Sequence, residues 1–153
     1  MRINFKKTIN TESGITLYIA LAVTGVLLLV MFAVINTSIK QLQFSSTAND
    51  SSKAFFAADS GTECALFWDV KSGSNPFATS TPLAPISCNG SSVNLTRSGA
   101  TTTFSFTSDP CITVSVGKSY SNGSLKTRVE SKGYNTCDLT NARRVERAIE
   151  VSY

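Results

Sequence analysis

Histidine is absent from all 153 residues, which removes the commonest general base and a frequent zinc ligand. There is no C-x-x-C pair, G-x-S-x-G, phosphate loop or H-E-x-x-H. The familiar routes to metal, acyl-transfer and phosphate chemistry therefore lack their residues. The carboxylates are scattered, and Glu146 and Glu150 lie on the solvent side of a candidate strand, where charge is ordinary. No catalytic residue, metal, cofactor or enzyme activity is expected. Clustered basic charge is scarce too. Residues 15–153 carry 11 basic and 9 acidic side chains, gathered only at Arg143, Arg144 and Arg147, so no nucleic-acid partner is expected.

Charge is missing altogether from Ser13 to Ile39. Within that interval, "ITLYIALAVTGVLLLVMFAVI" (Ile15 to Ile35) is long enough to span roughly 30 Å as a helix, the thickness of a bilayer's hydrocarbon. A secretory signal has a shorter apolar run, about 7–15 residues, and small residues at its far end. "NTSIKQ" does not supply them. The segment reads as a single-pass membrane helix. Arg2, Lys6 and Lys7 precede it and only Lys40 follows closely. Positive-inside bias then keeps the N-terminus cytoplasmic, with residues 40–153 outside an inner or cytoplasmic membrane.

Four cysteines, Cys64, Cys88, Cys111 and Cys137, stand at wide spacing. An even count without C-x-x-C favours disulfides over zinc, and the outward placement supplies the oxidising compartment. Three connectivities are open. Neighbour pairing is the favoured one; each such bridge would close about 25 residues and contribute roughly 3–4 kcal/mol.

The order of features at the N-terminus is informative. A short basic leader ends in "ESG" at Gly14, and the apolar helix begins at once with Ile15. A cut there would lie before the helix and leave it on the processed chain. Further on, "KAFFAADSGTECALFW" (Lys53 to Trp68) places Ala54, Ala57, Gly61, Cys64 and Trp68 at intervals of three and four, along one helix face. Small residues on that face allow close approach of another layer, and burial against the chain's own sheet is the favoured reading. Gly61 costs about 1 kcal/mol of helix propensity relative to alanine, which packing must offset.

Together these stretches resemble type IV pilins and pseudopilins. The "AFFAADSG" segment (Ala54, Phe55, Ala57, Ala58, Asp59, Ser60 and Gly61 being the matching residues) is similar to the stalk of minor pilins and PilX-type pilus assembly proteins. The resemblance covers roughly residues 1–70. It implies a class III leader cut after Gly14 by prepilin peptidase, an N-methylated Ile15, and other pilin subunits as partners in a cell-surface fibre. It also implies a glutamate at the fifth residue of the processed chain, where this sequence has Ile19. In pilins that carboxylate is taken to pair with a neighbour's N-terminal ammonium. Its loss removes both a costly buried charge and an attraction between subunits, which favours a minor or tip subunit over a shaft subunit. The pair Cys111–Cys137 resembles the C-terminal disulfide loop of many pilins.

Beyond the span, no glycine falls between Gly25 and Gly61 and no proline precedes Pro76. One helix is expected from about Ile15 to Trp68, on the order of 80 Å long. Its serine-rich middle, Asn36 to Lys53, is the part expected to fray. Residues 71–92 read as a Ser/Thr/Gly/Pro loop leaving the helix and as the candidate adhesive surface. Strands are expected at 92–97, 101–107, 111–118, 126–134 and 143–153. The expected fold is α+β, a long helix packed on an antiparallel sheet. It divides into a leader (1–14), a membrane half (15–38), an amphipathic continuation (39–69) and an extracytoplasmic β-rich domain (70–153). Three functional readings follow: a fibre subunit, an uncut membrane-anchored adhesin or binding domain, and a pilin-like assembly factor that primes or caps a fibre.

Overall fold

A computed structural model describes residues 13–153, so the greater part of the expected leader, residues 1–12, lies outside the described residues. The fold is α+β. Helix α1 occupies Ser13–Leu66 and passes into a π-helical turn at Phe67–Lys71, closed by the Ser72 amide donating to the Phe67 carbonyl at 2.9 Å. The chain divides into two units, Met1–Phe44 and Ser45–Tyr153.

In the first unit the described residues form an uninterrupted apolar helix, long enough to cross a membrane and with every large apolar side chain exposed. Three of its hydroxyls bond back along the helix. Thr24, Thr37 and Ser38 donate to the carbonyls of Ala20, Ala33 and Val34, four residues back, at 2.9, 2.8 and 2.9 Å. These three hydroxyls therefore need no partner outside the helix.

The second unit holds two sheets. Strands β1 (Ile86–Cys88) and β2 (Ser91–Val93) form a small hairpin. Strands β3 (Thr96–Ser98), β4 (Thr101–Phe106), β5 (Ile112–Ser121), β6 (Ser124–Tyr134) and β7 (Glu146–Ser152) form an antiparallel meander in chain order. Two hairpins turn on Asn-Gly, Asn89-Gly90 and Asn122-Gly123, with φ of 53° and 77°, and 53° and 80°. Positive φ at both central residues is what a two-residue turn needs to match the strand twist.

The expected strand at 92–97 is two strands in different sheets: β2 pairs with β1, β3 with β4. Residues 71–92 are likewise more than a solvated loop. Phe77 is buried and stacks on Phe104 with centroids 6.2 Å apart, and Ile86 and Cys88 join the core. Arg97 gathers the rest, donating to the carbonyls of Pro76 and Thr81 at 2.7 and 2.8 Å. Its fork satisfies loop carbonyls that sheet pairing leaves unused.

The serine-rich middle of α1 is helical throughout, including Ser45 to Lys53 within the second unit. There three of the side chains that would compete for backbone bonds are engaged by Arg147 of β7 and by Arg143 in the loop before it. Arg147 Nε donates to Ser51 Oγ at 2.8 Å, Arg143 donates to Ser46 Oγ, and Arg143 lies 3.8 Å from the Asp50 carboxylate.

Candidate functional site

Apart from the cysteines, the residues singled out by sequence lie in two places: the start of α1 and its face against the sheet. At the start, Gly14, Ile15 and Ile19 are helical, Ile15 and Ile19 are exposed, and nothing among the described residues lies within 4 Å of a Cβ placed on Gly14. Residues 1–12 of the expected leader lie outside the described ones.

The sheet-facing side is more closely built. Ala54, Ala57 and Gly61 are buried as the spacing implies, and Cys64 and Trp68 are half-buried at the distal end. Trp68 Nε1 donates to the Ser87 carbonyl at 3.0 Å, fastening the β1–β2 hairpin to the helix end. Ala58, Thr62 and Ala65 are buried as well, widening the stripe beyond the residues its three-and-four spacing identified.

The opposing surface comes from alternate residues of the meander. Phe104 of β4, Ile112, Val114 and Val116 of β5, and Val129, Ser131 and Gly133 of β6 are buried. Two glycines set the approach. A Cβ on Gly61 would come within 2.7 Å of Ile112 Cγ2 and 2.8 Å of Val114 Cγ2. A Cβ on Gly133 would strike the Ala54 carbonyl oxygen and the Ala58 amide nitrogen, both backbone atoms. Strand β6 thus lies directly on the helix backbone, which only a glycine in the strand permits. Ser131 Oγ, buried beside Gly61, has no hydrogen-bond partner among the described residues.

Cysteine pairing follows the neighbour pattern. Cys64 bonds Cys88 and Cys111 bonds Cys137, with Cα separations of 5.8 and 5.3 Å. The first ties the β1–β2 hairpin to α1. The second ties the start of β5 to the loop before β7. Asp109 lies beside the second pair, but both sulfurs are in the disulfide and Asp109 Oδ1 accepts from the Cys137 amide at 2.6 Å. No thiolate is left there to ligate a metal.

Sequence reasoning missed a polar cluster where α1 ends. Lys118 Nζ lies 2.6 Å from Asp69 Oδ1, with side chains only 6% and 3% exposed. Tyr153 donates to Asp69 Oδ2 at 2.6 Å, and Lys118 donates to Thr127 Oγ1 at 3.2 Å. Burial pushes the Asp69 carboxyl up. Hydrogen bonds from Lys118, Tyr153 and Asn75, together with the Lys118 charge, outweigh it and hold the group below its ordinary value. Burial and the Asp69 carboxylate raise the Tyr153 phenol well above its own. A signal for this cluster was present, because Lys118 continues the alternation of Ile112, Val114 and Val116 onto the buried face.

The arrangement is a docking of helix on sheet, sealed at its far end by a charged latch. No family model, no curated protein and no solved structure matches this chain.

Proposed function

We propose that this chain is a pilin-like subunit, a minor or tip component of a type IV pilus or a type II secretion-like fibre. It would be cut after Gly14 and enter the fibre through its N-terminal helix. The observation that carries this reading is one helix with two kinds of surface. Residues from Gly14 to Ile35 are apolar all round and uncovered, while Ala54 to Ala65 present small residues to a sheet of the same chain. An all-round apolar helix is suited to lipid and, equally, to a bundle of identical helices. The role is structural rather than catalytic.

In this reading the first unit sits in the membrane before assembly and among neighbouring helices after it. The second unit remains outside. Ile19 brings no carboxylate into that apolar layer, so a subunit with no predecessor above it has no unpaired buried charge. Mass spectrometry of the protein from its own membrane provides the test. A chain beginning at Ile15, N-methylated, is the expected result. One beginning at Met1 sinks the reading and leaves an uncut, membrane-anchored binding domain. Immunolabelling of purified fibres then separates the roles: tip labelling is expected, and uniform shaft labelling overturns the tip assignment.

A further inference from the structure

We propose that a groove beside α1 in the second unit binds a neutral saccharide of one or two rings. The groove encloses about 470 Å³ between α1, the β1–β2 turn and the segment joining β4 to β5. That volume lies within the range of small-molecule sites, roughly 300–1,000 Å³.

Two phenyl rings line it, Phe56 from the helix and Phe106 from β4. Phe56 is 67% exposed, a large apolar ring facing water. The polar lining comes from Asn89, Asp109, Lys53 and several serines. This combination selects a ligand class. A purely apolar ligand would strip water from the carboxylate, ammonium and amide without replacing their hydrogen bonds. A strongly charged ligand would meet either Asp109 or Lys53 as a like charge, and these are the only two charged residues in the lining. A pyranose matches both components. Its C–H face lies on a phenyl ring, and its hydroxyls both donate and accept.

The walls are held in place before any ligand arrives. Cys88 lines the groove and is bonded to Cys64 of the helix, so one wall is tied to the other. Asp109 accepts from the Cys137 amide, and Cys137 is bonded to Cys111 at the start of β5. Walls cross-linked in this way lose little conformational entropy on binding. The inference is independent of fibre assembly, because the groove belongs wholly to the second unit.

Saturation-transfer NMR tests it on the full chain in a sugar-free amine-oxide detergent. The probes are glucose, galactose, mannose, N-acetylglucosamine, N-acetylgalactosamine, lactose and sialic acid. Transfer to at least one neutral sugar is expected. Phe56→Ser should weaken it by roughly tenfold or more, as should Asn89→Gly, which keeps the positive φ of the turn. The thermal transition followed by Trp68 fluorescence should not move in either variant. Three results overturn the proposal: no transfer from any neutral sugar, transfer unchanged in both variants, or preferential transfer to sialic acid.

Discussion

The two ends of α1 use the same backbone for opposite purposes. From Gly14 to Ile35 the side chains are mostly large and apolar, and they are uncovered. From Ala54 to Ala65 the sheet-facing ones are alanine, glycine and threonine, and they are buried. Side-chain size accounts for the contrast. An apolar helix that meets lipid or other helices gains from bulk. A helix that must lie on its own sheet gains from having none, because the small residues bring backbone to backbone. Composition would call the first end the hydrophobic one, yet it is the second, less hydrophobic end that has a core.

Substituting glycines breaks this contrast most sharply. Gly133→Val should abolish the fold of the second unit, with a cost of about 3 kcal/mol or more, because the obstructing atoms are backbone and cannot repack. Loss of strand signal in circular dichroism and of the Trp68 fluorescence transition would register it; a normally folded variant would refute the close approach. The charged latch ranks next. Lys118→Met leaves Asp69 buried without its cation and should cost about 3 kcal/mol in urea unfolding, with Asp69→Leu added to it recovering most of the loss.

The same latch predicts a pH profile. Asp69 is held below its ordinary value of 3.8, so its contribution is complete above that value and disappears as pH falls through the lower folded one. Tyr153 is raised above 10.0, so its contribution is complete below that value and declines as pH rises beyond it. A plateau between about 4 and 10 is expected, with the acid shoulder reduced in Lys118→Met, because Lys118 lowers Asp69 whereas Tyr153 is raised by burial and by Asp69.

A comparison within α1 is gentler. Gly61→Ala should destabilise by about 1–3 kcal/mol, since Ile112 and Val114 must move aside. Gly25→Ala meets nothing among the described residues and should stabilise the helix by about 1 kcal/mol. Opposite signs in detergent melts would sharpen the contrast, and equal signs would remove it. The smallest effect belongs to Ser131→Ala. Removing a buried hydroxyl that has no partner should leave stability unchanged or raise it by up to about 1 kcal/mol in the same urea assay.

Much of this was legible in the chain. The period of three and four from Ala54 to Trp68 marked the packed face, and the alternation in "CITVSVGK" marked the facing strand. What was missed had local causes. Asn89-Gly90 lies in a Ser/Thr/Pro-rich stretch, so its strong hairpin signal was read as loop and β1 with it. "SVNLTR" alternates like a single strand, and only pairing partners divide it between two sheets. Lys118 was in phase with buried valines, but a lysine reads as exposed until a carboxylate from elsewhere in the chain is placed beside it.

The sequence by itself determined the local properties: an apolar helix with no charge from Ser13 to Ile39, a small-residue face, and turns wherever Asn-Gly permits positive φ. These depend on neighbours a few residues away. Tertiary structure alone decided which distant groups meet. Gly133 lies on the Ala54–Ala58 backbone, Asp69 pairs with Lys118, and Arg97 collects the carbonyls of Pro76, Thr79 and Thr81. Such contacts join residues from about 16 to about 79 positions apart, and their geometry exists only after the sheet has closed on the helix.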